Sequence, residues 1–249
     1  MKIAIISDIH EDIERLRKAM SIIEKNNIDE IVCLGDIVGY SVPHYNHFDT
    51  KNASECIQIV KSNCKIVIAG NHDLYESQKI PENKSDFDFP DNWYSLDYQE
   101  KKKLANGKLW LCEENSLPSL ISKKEREYLY NLPEYVVSDF TGQNILFSHF
   151  IYPDITGSRA DFGKYESSFK SHIDFMKKQD CNLSFFGHAH IEGIRTFTAV
   201  NSKIKSFGKL KTTNEPQAFI VPCIVKGNQK NGITIFNTNT MELNIIRLR

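Results

Sequence analysis

Short apolar runs alternate with segments of helical periodicity along the first 70 residues. KIAIIS (2–7), EIVCLG (30–35) and KIVIAG (65–70) have the composition expected of strands that are covered on both faces. Between these runs, apolar residues recur at helical spacing over 13–25 and 53–63. This alternation of strand and helix predicts a parallel α/β layer.

The pattern changes after residue 75. Segment 76–118 is polar, interrupted by prolines and rich in aromatic residues, so it predicts an excursion from the core with one or two helices near 96–113. Further on, the sequence predicts helices over 123–133 and about 163–179, and buried strands over 144–150 and 182–188. From Arg195 onward, short alternating strands and turns predict an antiparallel sheet. Since no linker is evident, a single domain over 1–249 is expected.

Composition and charge narrow the class of protein. Hydrophobic residues make up 41% and charged residues 25%, as in an ordinary soluble globular protein. The net charge of -1 provides no general attraction to nucleic acid or to an anionic membrane, although it does not exclude a local basic groove. MKIAIISDIH lacks the features of a signal peptide, and the six cysteines are scattered without a CxxC pair. Reduced thiols, a cytoplasmic location and no membrane partner are therefore expected.

Each of the five predicted buried strands ends in side chains that are able to bind metal. In open α/β sheets, ligand sites form at the carboxyl ends of the strands. Imidazole, carboxylate and amide ligands together suit Mn²⁺, Fe²⁺ or Zn²⁺ better than Ca²⁺ or a thiolate site. In chain order these residues are Asp8 and His10, Asp36, Asn71 with His72 and Asp73, His149, and His188 with His190.

Each of these residues has a structural explanation when it is considered alone. Asp8 could cap a helix, Asn71 could lie in a turn, and His149 could be a hydrogen-bonded core histidine. Together they are too many for one tetrahedral zinc site but sufficient for two adjacent metals. Two cations about 3.5–4 Å apart require a shared carboxylate, and Asp36 is the natural bridge.

The ordered motifs DIH, GD, GNHD, SH and GHAH resemble the calcineurin-like metallophosphoesterase superfamily. GDIVGY and KKEREYLYNLP further resemble its bacterial and archaeal branch, which includes small phosphodiesterases and predicted phosphatases. The motifs extend from residue 2 to about residue 194. The resemblance implies an α/β fold: a four-layer αββα sandwich of two mixed β-sheets flanked by helices, with a dinuclear site on loops at one edge.

The resemblance also implies a role for each motif residue. Two divalent ions are expected, with Mn²⁺ preferred and Fe, Zn, Ni or Co as alternatives. His72 would face the substrate, stabilise the transition state and protonate the leaving oxygen. Asp73 would orient the His72 ring through a hydrogen bond, with a helix or turn cap as the alternative. The implied ligands are Asp8, His10, Asp36 and His190 for the first metal, and Asp36, Asn71, His149 and His188 for the second.

The implied reaction is hydrolysis of a phosphate ester by in-line attack of a hydroxide that bridges the metals. Protein phosphatases of the superfamily clamp a dianionic monoester with arginines, but Tyr40 and Leu74 occupy the corresponding positions here. A phosphodiester or a small nucleotide-like substrate is therefore favoured. Phosphomonoesterase or protein phosphatase activity, a metal-dependent nuclease and a non-catalytic protein-binding scaffold remain alternatives. Arg159, Lys164 and Arg195 could add charge near the site, and the sequence does not indicate an oligomeric state.

The excursion is expected to cover the active site. Its aromatic residues could stack on a nucleobase, or they could pack a small helical subdomain onto the rest of the chain. His44 and His47 have the spacing of metal ligands, but no strand precedes them, so a third metal is not expected there. The aromatic residues concerned are Trp93, Tyr94, Tyr98 and Trp110.

Overall fold

The computed structural model describes residues 1–83, 87–160 and 168–248. Its α-helices are α1 Ile13–Lys25, α2 Ala53–Asn63, α3 Asn71–Ser77, α4 Tyr98–Ala105, α5 Lys123–Tyr130 and α6 Phe169–Lys178. Its strands are β1 Lys2–Ile6, β2 Glu30–Cys33, β3 Tyr40–Ser41, β4 Ile66–Val67, β5 Ser116–Leu117, β6 Tyr135–Asp139, β7 Asn144–Ser148, β8 Leu183–Phe186, β9 Ile194–Phe197, β10 Ser202–Lys205, β11 Gly208–Lys211, β12 Gln217–Ile220, β13 Gly232–Asn237 and β14 Glu242–Arg247.

Two six-stranded mixed sheets form the centre of the fold. The first has the order β11-β14-β13-β1-β2-β4, and the second has the order β10-β9-β12-β8-β7-β6. The β1, β2 and β4 strands are parallel, as are β7, β8 and β12, whereas the remaining neighbours in both sheets are antiparallel. The predicted parallel layer and the predicted antiparallel C-terminal strands are therefore both present.

Apolar side chains fill three spaces between four layers. Phenylalanines such as Phe147, Phe185 and Phe236 meet β1 residues between the two sheets. The apolar faces of α1, α2 and α5 cover the outer face of the first sheet, and α6 covers the outer face of the second. This is the predicted αββα sandwich, and burial of these faces is the main stabilising term.

Helix boundaries differ from the sequence predictions in two places. The α5 helix ends at Tyr130, before Pro133, because the residue that precedes a proline is disfavoured in a helix. The α6 helix begins at Phe169, and residues 163–167 of the longer predicted helix lie outside the described residues. The α3 helix was not predicted. It begins directly after Gly70, whose N–H donates to the Asp73 carboxylate at 3.0 Å.

The excursion over 76–118 has a small apolar cluster of its own. Trp93 is buried in this cluster with Phe87, Leu109 and Leu111. Tyr94 packs against the cluster and donates its hydroxyl to the carbonyls of Leu74 and Lys79. Trp93 and Tyr94 therefore pack the excursion together.

Across the described ranges, no helix is long and apolar enough to cross a bilayer.

His172 on α6 is buried in the second sheet's helical layer. The Tyr152 N–H donates to its Nδ1 at 2.9 Å, so Nε2 carries the proton and donates to the Ser184 hydroxyl at 3.0 Å. Burial lowers the pKa of His172 from 6.5 to about 3. The folded chain therefore holds this imidazole in its neutral form.

We expect His172 to make the folded state less stable as pH falls from 6.5 towards 3, because the unfolded chain binds a proton there that the folded chain does not. His172→Asn keeps an acceptor for the Tyr152 N–H but cannot be protonated. Urea unfolding at several pH values gives the free energy of unfolding as a function of pH. The slope of this function between pH 3 and 6.5 should be smaller in the variant, by the equivalent of about one bound proton. Parallel curves for the two proteins would contradict this expectation.

Candidate active site

The predicted ligands converge on one edge of the sandwich, beyond the carboxyl ends of the parallel strands. Their side chains form three overlapping groups whose ligand atoms lie within 4.8 Å of one another. Hydrogen bonds between loops hold this edge, such as those from the Asp8 N–H to the Gly35 carbonyl at 3.0 Å and from the Gly187 N–H to the His149 carbonyl at 3.0 Å. The three groups are Asp8 with His10 and His190, His10 with Asp36 and His72, and Asp36 with His149 and His188.

Most of these residues adopt an unusual backbone conformation. A positive φ is uncommon for residues other than glycine, and such conformations concentrate at functional sites. Here they turn the chain sharply at the strand ends, so that side chains from separate loops meet. Left-handed φ values occur at Asp8 (55°), His10 (47°), Asp36 (52°), His188 (64°) and His190 (45°).

Two backbone carbonyls define the orientation of two imidazoles. His10 donates its Nδ1 proton to the Gly39 carbonyl at 2.8 Å, and His149 donates its Nδ1 proton to the Leu34 carbonyl at 2.6 Å. Because a carbonyl only accepts, the proton of each neutral ring lies on Nδ1. The Nε2 atoms of both rings therefore point into the cluster, as in metal-bound histidines whose other nitrogen is hydrogen-bonded.

Acceptor atoms crowd the first half of the cluster. His10 Nε2 lies 3.2 Å from His190 Nε2, and His190 Nε2 lies 3.2 Å from Asp8 Oδ1. Asp36 Oδ2 lies 3.6 Å from His10 Nε2. Asp8, His10 and Asp36 are at most 1% exposed, so bulk water does not compensate their charge. A cation between these atoms would satisfy them together.

The second half repeats this arrangement and shares Asp36. Asp36 Oδ2 lies 3.2 Å from His149 Nε2, which in turn lies 3.2 Å from His188 Nδ1. Asn71 lines the adjoining cavity, and its Oδ1 is buried with no hydrogen-bond partner. Carboxylate, imidazole and an unpaired amide oxygen fit a second divalent cation. The residues of the cluster are therefore of the kinds that hold divalent cations.

Electrostatics within the cluster agree with a site for cations. Although burial alone raises the pKa of Asp36, the imidazoles of His149 and His72 outweigh it and lower that pKa well below its usual value. Burial alone lowers the pKa of His149, but the Asp36 carboxylate outweighs it and raises the pKa to about 9. The carboxylates thus hold protons on imidazoles where a metal would displace them.

His72 and Asp73 have separate roles in the structure. The His72 ring lines the cavity and meets the His10 ring edge-on, with 4.8 Å between the centroids. Asp73 accepts the N–H groups of Ile37 at 2.9 Å and Gly70 at 3.0 Å. Its carboxylate therefore caps α3 and holds the loop after β2, which is the alternative expected from sequence. The expected hydrogen bond from Asp73 to the His72 ring is not formed, because backbone amides occupy the carboxylate.

A cavity of about 380 Å³ opens onto the cluster. Among the described residues that line it there is no lysine or arginine. Arg195, which was expected to add charge, instead donates to the Ser202 hydroxyl at 2.8 Å, and Lys164 lies outside the described residues. Besides the cluster, the lining is aromatic or neutral and polar, and it includes His44, Tyr45, Trp110, Asn228 and Gln229.

Sequence reasoning missed several of these lining residues. The Tyr45 ring lies 5.0 Å from the His10 ring and is stacked on His190 at 6.3 Å. Burial raises the pKa of Tyr45, so its phenol is neutral. His47 Nε2 lies 3.0 Å from the His10 carbonyl and braces that loop. The one sequence signal for this wall is the concentration of tyrosine and histidine over 40–47, directly after GDIVG.

Comparisons with known proteins agree with this fold and site. The sequence profile of the family described as "Calcineurin-like phosphoesterase" matches residues 1–192. An uncharacterized protein of Methanocaldococcus jannaschii is 29% identical over 192 residues, covering 73% of this chain and 66% of that protein. The match thus spans slightly less than two thirds of that relative's length. The chain belongs to the calcineurin-like phosphoesterase family, a class of metal-dependent phosphoric ester hydrolases.

Solved structures share the architecture at low sequence identity. A metallophosphoesterase from Sphaerobacter thermophilus has a TM-score of 0.66 and 18% identity, covering 100% of this chain and 88% of that chain. A hypothetical protein from Pyrococcus horikoshii OT3 has a TM-score of 0.60 and 15% identity, with the same coverage of 100% and 88%. These likenesses establish the fold as one that metallophosphoesterases use.

We expect Gly157→Ala to disturb the site by displacing His188. A Cβ at Gly157 would lie 2.5 Å from His188 Nδ1, whereas a Cβ at Gly142 would meet nothing within 4 Å. Both glycines have positive φ, so Gly142→Ala is a matched control with a similar backbone cost of about 1–2 kcal/mol. Mn²⁺ retained per chain after dialysis should fall in Gly157→Ala only. Equal metal content in the two variants would contradict the expectation.

Proposed function

We propose that the protein is a dinuclear metal-dependent phosphoesterase that acts on a phosphodiester or a small nucleotide-like substrate. The observation that carries the proposal is the convergence of buried carboxylate and imidazole ligand atoms on both sides of Asp36. The first metal would be held by Asp8, His10, Asp36 and His190, and the second by Asp36, Asn71, His149 and His188.

The metals proposed are divalent, with Mn²⁺ preferred and Fe, Zn, Ni or Co as alternatives. Imidazole, carboxylate and amide donors together suit this group of metals. When bound, two such ions would lower the pKa of water and neutralise charge that develops on the phosphoryl group. Asp36 would reduce the repulsion between them, because its Oδ2 is close to a histidine nitrogen of each half.

His72 would stabilise the transition state from the cavity side. Its backbone N–H donates to Asp36 Oδ1 at 2.9 Å, which fixes the start of α3 against the cluster. Burial lowers the pKa of His72, so the neutral ring would offer an N–H to a phosphoryl or leaving-group oxygen. Asp36 Oδ1 is occupied by this bond, which leaves Oδ2 for the metals.

The lining of the cavity supports a substrate of low charge. A phosphate monoester dianion is commonly held by arginine, and the described lining has no lysine or arginine. A diester carries one negative charge fewer and needs less compensation. The volume of about 380 Å³ falls within the range for small-molecule sites, and the aromatic lining suits a base or another planar group. A small phosphorylated molecule is therefore preferred to a nucleic acid or a phosphoprotein.

We further propose that residues 1–249 act as one domain whose excursion covers the active site. The two sheets share an apolar interior, and Trp110 brings the excursion to the cavity wall. A cytoplasmic location is proposed because the six cysteines are free thiols and five of them are buried.

The substrate preference is tested with Mn²⁺-loaded protein and two chromogenic esters. We expect faster hydrolysis of bis-p-nitrophenyl phosphate than of p-nitrophenyl phosphate, because the cavity offers no cationic clamp for a dianion. His72→Ala should retain both metals and lower kcat by roughly 10²–10³-fold, the usual loss for one stabilising donor. A preference for the monoester would instead support a phosphatase. An unchanged kcat in His72→Ala would show that His72 does not stabilise the transition state.

A further inference from the structure

The excursion reaches the active site through a strip of three residues, Trp110–Cys112. The backbone N–H of Trp110 donates to the Ser158 carbonyl at 3.0 Å, and Leu111 is buried in the excursion's apolar cluster. Just beyond the strip, β5 pairs with β3, next to the loop that follows β2. The strip is therefore held from both sides, and its position relative to the cluster does not depend on a single contact.

The sequence led us to expect Asp73 beside the His72 ring. Cys112 occupies that place instead. Cys112 is 3% exposed, and its Sγ lies 3.9 Å from His72 Nδ1. A Cβ added to Gly39 would lie closest to His72 Nδ1 and 2.7 Å from His72 Cβ and Cγ, so the Gly39 backbone also packs against the ring. The ring is thus confined between the Gly39 backbone and the Cys112 thiol. This confinement leaves its other nitrogen, Nε2, as the atom available to a substrate.

Trp110 carries a donor that the protein itself does not use. Its ring lines the cavity beside Asn71 and His72, and its Nε1 is buried with no hydrogen-bond acceptor. The Ser41 hydroxyl lines the same cavity, is 2% exposed and is likewise unpaired. A buried unpaired donor is unfavourable, and an ester bound in the cavity would supply the acceptor that this indole N–H lacks. Phosphoryl oxygens are strong acceptors.

We infer that the strip Trp110–Cys112 belongs to the active site. Trp110 donates its indole N–H to a phosphoryl oxygen of the bound ester, and Cys112 positions the His72 ring. This inference rests on the proposed function and deepens it. Trp110 is a binding residue that suits a monoanionic diester, because a neutral donor compensates less charge than an arginine does. Cys112 acts only through His72 and is a positioning residue.

Two substitutions separate the two roles. Trp110→Phe keeps an aromatic ring but removes the N–H, so KM for bis-p-nitrophenyl phosphate should rise about tenfold, with kcat changing less than about twofold. Cys112→Ala should lower kcat about tenfold with little change in KM, because the substrate still binds while His72 is misplaced. Cys112→Ser should restore part of kcat, since serine fills more of the space beside the imidazole than alanine does.

Matched controls account for general effects of the substitutions. Trp93→Phe changes the other tryptophan, which packs within the excursion, and Cys56→Ala changes another buried cysteine, which lies on the buried face of α2. Both controls should keep KM and kcat near the wild-type values. If a control changed them as much as the strip variant does, the effect would be one of folding and the inference would be overturned.

Two measurements do not depend on turnover. Calorimetric titration of Mn²⁺-loaded protein with inorganic phosphate should show about tenfold weaker binding in Trp110→Phe. In Zn²⁺-loaded protein with nitrogen-15-labelled histidine, the His72 ring signals should shift in Cys112→Ala and stay unchanged in Cys56→Ala. If the wild type hydrolysed no ester, the proposed function would be contradicted. Weaker phosphate binding in Trp110→Phe and shifted His72 signals in Cys112→Ala would still support the contact of Trp110 with phosphate and the contact of Cys112 with His72. Unchanged phosphate affinity in Trp110→Phe, or unchanged His72 signals in Cys112→Ala, would overturn the corresponding half.

Discussion

The burial of two carboxylates beside four imidazoles is the constraint on which this structure depends. Asp8 and Asp36 are removed from water, and the Nδ1 bonds of His10 and His149 to backbone carbonyls direct lone pairs toward the carboxylates. Such a group is unfavourable by itself, because uncompensated acceptors repel each other in a medium of low polarity. Protons on imidazoles relieve part of this in the free chain, and divalent cations would relieve it more completely.

The fold keeps these groups together by making the backbone rigid around them. The cluster residues at the ends of β1, β2 and β8 adopt left-handed conformations that an isolated chain would rarely populate. Hydrogen bonds between loops and glycines with no room for a Cβ hold the loops in place, as at Gly39 beside His72 and at Gly157 beside His188. The interior between the two sheets stabilises the whole fold and so offsets this local strain.

The sequence was sufficient for the features that depend on local pattern. Apolar runs ending in polar residues predicted the strands and their shared edge, and residue types alone predicted which side chains would gather there. The α3 helix was missed because an Asn-His-Asp segment has no helical periodicity, and the helix depends on contacts with Gly70 and the loop after β2. The capping role of Asp73 was expected only as the alternative to a hydrogen bond with the His72 ring. Asn228, in a segment that reads only as a turn, and Cys112, in a polar excursion, reach the site through long-range packing that no local pattern encodes.

The central claim is that the two halves of the cluster each bind a cation and share Asp36. The most direct measurement is anomalous diffraction from crystals of the protein soaked in Mn²⁺, recorded near the manganese absorption edge. The account predicts two peaks about 3.5–4 Å apart, one on each side of the Asp36 carboxylate. A single peak, or peaks that leave Asp36 uncoordinated, would contradict it.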